Sequence, residues 1–215
     1  MKIALAGGGG ANDSRPLDEA FAGWIGSQGR LLYWPFALRR IRTFESCLKW
    51  MTATFAPLHI TDITMWTSLA EHQAGELSSF DAVYIGGGNT FSLLAEIREH
   101  GFEDSLRKYA RRGHAVYGGS AGAAVLGRDI RTVHHMDHNE VGLVDTTGLD
   151  LAEGHSIWVH YHPHDDSLIE AYVHQYQLPV LAISERSGIM IENDRMRVVG
   201  FEPAYRFDEQ GKDRI

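Results

Sequence analysis

One cysteine in 215 residues excludes an internal disulfide, and Cys47, within the helical-looking FESCLKW, reads as a buried structural thiol. No apolar run approaches the ~18 residues that a membrane span requires, so no membrane partner is expected. The opening MKIALAGGGG is too short in its apolar part for a signal peptide and lacks a cleavage pattern, which leads to an expected cytoplasmic location. Clustered basic charge is missing too. Lys and Arg number 20 against 28 Asp and Glu, and they are scattered, which argues against a nucleic-acid partner. Repeats, low-complexity tracts and linkers are absent, so residues 1–215 are expected to form one domain.

What is present is an alternation of short apolar strands with amphipathic helical stretches. KIALAGG (2–8), RLLYWPF (30–36), HITDITMW (59–66), FDAVYIGGG (80–88) and HAVYGG (114–119) read as strands. Between them, residues 14–26 carry Leu17, Ala20, Phe21 and Trp24 at helical spacing, with Ser14 as the expected N-cap and Gly26 as the stop. Residues 42–55, and the two glycine-closed segments TFSLLAEIREHG and FEDSLRKYARRG, are helical as well. Near-continuous apolar strands separated by helices predict an α/β sandwich of three layers around a mostly parallel sheet. The strand-rich last third, at 155–162, 178–184, 188–193 and 196–201, predicts an antiparallel extension at one edge.

Chemistry in an open parallel sheet collects at the carboxyl ends of the strands. There, Gly118-Gly119-Ser120-Ala121-Gly122 has the form G-x-S-x-G, in which small residues leave room for a sharp strand-to-helix turn that lifts a serine hydroxyl clear. Glycine is abundant, 23 of 215, so the motif carries little weight alone, and an ordinary tight turn is the competing reading. A second strand runs into Ile85-Gly86-Gly87-Gly88-Asn89-Thr90 and then a helix, where free amides attract negative charge. A phosphate loop is the alternative, but neither G-K-[ST] nor G-x-G-x-x-G is present, and no cofactor is expected.

FDAVYIGGGNTFSLL followed some thirty residues later by VYGGSAGAAVLG resembles the peptidase E family, serine peptidases that include α-aspartyl dipeptidases and the related cyanophycinases. YWPFA at 33–37 adds to the likeness. The resemblance implies a fold like that of class I glutamine amidotransferases, with serine at the nucleophile elbow. It implies Ser120 as nucleophile and the amides of Gly88 and Ala121 as an oxyanion hole. A serine hydroxyl needs a base. In the family a histidine follows a short strand and precedes an aromatic, which among His160, His162 and His164 favours His160, before Tyr161, with His162 as the next. For the acid that orients the histidine, the family places an Asp after the elbow helix. RTVHHMDHNEVGLVD departs from that pattern, leaving Asp137 as the choice and Glu140 as the next. Asn89, Glu185 and Arg186 are expected at the substrate. The substrate class implied is a short peptide, with an N-terminal Asp in the dipeptidase branch and broader or isoaspartyl cleavage as alternatives. Arg131 and Arg186 are the cations available to select Asp.

Two rivals stand beside this reading. His134, His135, Asp137 and His138, with His160, His162 and His164 at a strand's period of two, could ligate a metal for a metal-dependent hydrolase. Such an enzyme leaves the paired glycine motifs unexplained, and no metal site is expected. A catalytically inactive, peptidase-like binding module is the other. Oligomeric state is not legible, with a homodimer the ordinary default.

Overall fold

The computed structural model describes all of residues 1–215. In chain order its elements are β1 (Lys2–Ala6), α1 (Ala11–Ile25), β2 (Arg30–Trp34), α2 (Phe44–Phe55), β3 (Asp62–Met65), β4 (Ala82–Ile85), α3 (Thr90–Glu99), α4 (Glu103–Arg111) and β5 (Ala115–Gly119). There follow α5 (Ala121–Leu126), β6 (Ser156–Trp158), α6 (Asp166–Tyr176), β7 (Val180–Ala182), β8 (Gly188–Glu192), β9 (Arg195–Val198), β10 (Tyr205–Asp208) and β11 (Gly211–Arg214).

Seven strands form the main sheet in the order β3-β2-β4-β5-β1-β8-β9. The first five are parallel, while β8 and β9 run antiparallel at one edge, as the sequence pattern predicts. Alternation along each strand serves two apolar layers. Ile3 and Leu5 of β1 pack with Phe91, Leu94 and Leu106 of α3 and α4. Ala4 and Ala6 face the opposite layer, with Leu17 and Phe21 of α1 and Met51 and Phe55 of α2.

The remaining strands were expected to extend this same sheet, but they build a second one, in the order β11-β10-β7-β6. Its strand residues Ile157 and Leu181 join the main core, and Trp158, Val180, Ala182 and Phe207 pack on Ile169, Tyr172 and Val173 of α6. Period-two patterning gives a strand two faces but does not name its neighbour. Helix α6 and the β10–β11 hairpin were also not anticipated.

Helix α1 begins at Ala11, three residues before the expected cap. The Gly10 amide donates to Asp13 Oδ2 at 3.0 Å, and Ser14, now inside the helix, donates to Asp18 Oδ2 at 2.7 Å. Asp18 is buried and also accepts from the Tyr117 hydroxyl at 2.8 Å, which ties α1 to β5. Tyr117 is one of three tyrosines in register across adjacent strands, Tyr33 opposite Tyr84 and Tyr84 opposite Tyr117. The Tyr84 and Tyr117 rings stack at 4.3 Å. This row is the floor on which the site is built.

Burial lifts the Asp18 carboxyl to about 6, against the opposing pull of the bonds from Ser14 and Tyr117. Between about pH 4 and 6 the unfolded chain ionises this group while the folded protein keeps it protonated, so its stabilising contribution is lost as pH rises through that window. Stability of wild type minus Asp18→Asn, measured by denaturant unfolding, should fall by on the order of 2–3 kcal/mol from pH 4 to 6.5 and then level off. A difference independent of pH contradicts the assignment.

Candidate active site

Ser120 stands between β5 and α5 with φ 51° and ψ −113°. A non-glycine residue held at positive φ costs about 1–3 kcal/mol, and the surroundings must enforce it. The glycines beside it are required by space. A Cβ on Gly118 would lie 2.6 Å from the Ala123 nitrogen, and one on Gly122 would lie 2.2 Å from the Ile85 carbonyl oxygen. The Ser120 amide donates to the Ala6 carbonyl at 3.1 Å, which fixes the turn against β1.

Ser120 Oγ lies 2.8 Å from His160 Nε2, and His160 Nδ1 lies 2.8 Å from Glu185 Oε1. The three side chains form one hydrogen-bonded line, with His160 partly exposed and Glu185 at the surface. Its geometry follows from the small sheet. Strands β6 and β7 are parallel neighbours, with Trp158 opposite Ala182, so the segments leaving their carboxyl ends emerge side by side. One segment carries His160, the other Glu185. The His160 amide donates to the Gly7 carbonyl at 2.8 Å, and a Cβ on Gly8 would lie 2.2 Å from His160 Cε1. Gly8 therefore leaves the space in which the imidazole lies.

Asp137, expected to orient the histidine, does something else. Its Oδ2 accepts from the Thr90 amide at 2.8 Å, at the start of α3. Glu140, the second choice, pairs with Arg40. The two acids sit on the loop after α5, where they face the start of α3 and Arg40 and not His160. Asn89 also caps α3: its Oδ1 accepts from the Ser92 amide at 2.9 Å, and its Nδ2 donates to the His138 carbonyl at 2.8 Å. These contacts hold the Gly86–Gly88 loop beside Ser120, where a Cβ on Gly87 would come within 3.3 Å of Ser120 Cβ. Gly88 has φ +124°, and any Cβ there would lie 2.2 Å from the Ala37 carbonyl oxygen. Its amide makes no hydrogen bond within the chain, and the Ala121 amide is at the first position of α5, where no intrahelical acceptor exists.

The histidines of the rival metal reading disperse. His135 stacks on Trp158 at 4.4 Å, His134 lies against Phe91 at 5.2 Å, and His162 stacks on His164 at 5.3 Å. The period of two fails because β6 ends at Trp158, His160 has φ 52° and Pro163 opens a 3₁₀ turn. No three His, Cys, Asp or Glu side chains converge as a ligand set.

A cavity of about 300 Å³ opens beside Ser120 and His160. Tyr33, Tyr84, Tyr117 and Trp50 supply aromatic lining, and the Gly86–Gly88 loop another wall. Its only lining Arg, Lys, Asp or Glu is Arg42. Neighbouring Arg39 and Arg40 are paired with Glu96 and Glu140, whereas Arg42 forms no ion pair. The cations expected at the substrate are engaged elsewhere. Arg131 is paired with Asp129 and lies over the Tyr176 ring, and Arg186 is near Asp13 and Glu202 and lies over Phe201. The tyrosine row could have been found from three aromatics at matching positions in three strands. Arg42 lies in a connection that carries no such signal.

A family model described as Peptidase family S51 matches residues 3–199. The chain belongs to that family. It is thereby a member of a serine peptidase family, and the expected likeness to peptidase E holds. A peptidase E of Streptomyces coelicolor is 27% identical over 207 residues, covering 90% of this chain and 80% of that protein. A peptidase E of Pasteurella multocida is 29% identical, and the match covers 65% of this chain and 63% of that protein. The crystal structure of a peptidase from an acI-B1 Actinobacterium shares the fold, with a TM-score of 0.75 at 16% identity, covering 100% of this chain and 93% of that one. No helix of the family member described here is long and apolar enough to cross a membrane.

The Gly8 contact gives a direct structural test. In a crystal structure of Gly8→Ala the imidazole should be displaced, with Ser120 Oγ and His160 Nε2 beyond the hydrogen-bond range of about 3.2 Å. An unmoved ring contradicts this account of the site.

Proposed function

We propose that this protein hydrolyses short peptides by acyl transfer through Ser120, and the unbroken Ser120–His160–Glu185 line carries the reading. His160 Nε2 takes the Ser120 proton as Oγ attacks the scissile carbonyl carbon. The developing oxyanion accepts hydrogen bonds from the amides of Gly88 and Ala121. Glu185 accepts from Nδ1–H, holding the tautomer that leaves Nε2 free and stabilising the imidazolium that forms. His160 then protonates the departing amine, and a water activated by the same nitrogen releases the acyl group from Ser120. Glu185 thus takes the part first given to Asp137, and Asn89 serves by holding the loop that bears Gly88.

The preferred substrates in this reading are peptides with an acidic first residue. Support comes from Arg42, an unpaired cation in a cavity that no carboxylate lines, so an Asp side chain gains a charge-assisted hydrogen bond without repulsion. The resemblance to the peptidase E family, whose dipeptidase branch implies an N-terminal Asp, is in keeping with this preference.

Hydrolysis of an Asp-X, Ala-X and X-Asp dipeptide panel tests both parts. Ser120→Ala should lose at least about 10³-fold in kcat, and Glu185→Gln on the order of 10²–10⁴-fold. Asp137→Asn, which retains a capping oxygen, should stay within about threefold of wild type. A reversed order for Glu185 and Asp137 overturns the triad. Separately, Arg42→Met should raise KM for Asp-X by about tenfold or more while leaving Ala-X unchanged. Equal changes for the two substrates remove Arg42 from acid recognition.

A further inference from the structure

His160 holds its place in an unfavourable backbone conformation, with φ 52°. Two backbone bonds flank it: its own amide to the Gly7 carbonyl at 2.8 Å and the Tyr161 amide to the Ile183 carbonyl at 3.1 Å. The next side chain, Tyr161, is 3% exposed, and its hydroxyl is engaged on both sides. It donates to Asp166 Oδ1 at 2.7 Å and accepts from Lys212 Nζ at 2.7 Å, while Lys212 also donates to Asp166 Oδ2 at 2.7 Å. The three groups close a triangle. The ammonium lies over the rings of Tyr205 at 4.3 Å, Tyr161 at 5.3 Å and Phe207 at 5.4 Å.

Lys212 comes from β11, at the outer edge of the small sheet, beyond residues 3–199 that the family model matches. Every residue of β11 is exposed, so burial does not dictate where this strand lies. What Lys212 does is reach across β10 to the residue beside the histidine.

We propose that Lys212 is a positioning residue for His160. With Asp166 it clamps the Tyr161 hydroxyl, so that the left-handed turn at His160 stays closed and Nε2 stays on Ser120 Oγ. The proposal rests on the serine peptidase reading above. Neither Lys212 nor Asp166 touches the cavity or the reacting atoms, so the clamp acts on the geometry of proton transfer and not on substrate affinity. Small displacements of a base carry large rate costs, because proton transfer needs hydrogen-bond contact.

The test compares wild type, Lys212→Met, Tyr161→Phe and the double variant, each confirmed folded by circular dichroism at the assay temperature. Methionine keeps the apolar stem among the rings, and phenylalanine keeps the buried ring. Each single variant should lose about tenfold in kcat with KM within twofold, and the double variant should be no worse than either single one. The rate of labelling by a fluorophosphonate, which reports Ser120 activation without a peptide substrate, should fall in parallel. Wild-type kcat in a folded Lys212→Met, or in Tyr161→Phe if the first does not fold, overturns the clamp. So do multiplicative losses in the double variant, or a rise in KM at unchanged kcat. A wild type that resists labelling overturns the serine reading itself, whereas equal labelling of wild type and variants overturns only the clamp.

Discussion

The carboxyl end of β1 is the constraint on which the site depends. The Ala6 carbonyl accepts from Ser120, the Gly7 carbonyl accepts from His160, and the Gly7 amide donates to the Ser187 carbonyl at 3.4 Å. Two sheets therefore meet over two residues, Ala6 and Gly7. No side chain fits at Gly7, because a Cβ there would lie 2.1 Å from the Ser184 carbonyl oxygen. The main sheet presents the serine and the small sheet presents the histidine and the glutamate. Backbone bonds to one strand end bring them into contact. Such an arrangement tolerates little relative movement, since a shift of either sheet would break the 2.8 Å contact between Ser120 and His160.

Around that junction the chain holds several unfavourable local conformations in place. Ser120 and His160 both sit at positive φ. Each is flanked by backbone hydrogen bonds, and their neighbours are tied down in turn, Tyr117 through Asp18 and Tyr161 through Asp166 and Lys212. The cost of a strained backbone is met where burial and hydrogen bonding over-determine the residue. These polar contacts tie down the strand that leads to Ser120 and the loop that carries His160.

Much of this was legible in the residues. The apolar strands β1, β2, β4 and β5 describe the parallel centre of the main sheet, because strands buried on both faces must be apolar throughout, while β3 at the edge is only partly buried. The glycine runs after β4 and β5 mark two loops that approach each other closely, and Ser120 and His160 do meet. The second sheet was not legible. Its strands of three or four residues range from β6 and β7, buried throughout, to β11, exposed throughout, and nothing in such short stretches names a partner. Helix α1 shows the same limit at smaller scale. Ser14 has the chemistry of a cap, yet a buried carboxylate four residues on claims its hydroxyl.

By itself the sequence determined the layered α/β architecture, the elbow serine with its glycine neighbours, and the histidine before an aromatic. The architecture and the elbow rest on local sterics and on apolar periodicity, which a linear chain displays, whereas the histidine rests on the resemblance to the family. Only the tertiary structure decided which acid meets that histidine and which cation lines the cavity. Asp137 and Glu185 are both acids on loops after helix or strand, and the family resemblance favours the first. The parallel pairing of β6 with β7 puts the second at His160, because pairing between strands separated by a helix is a long-range choice that no local pattern encodes.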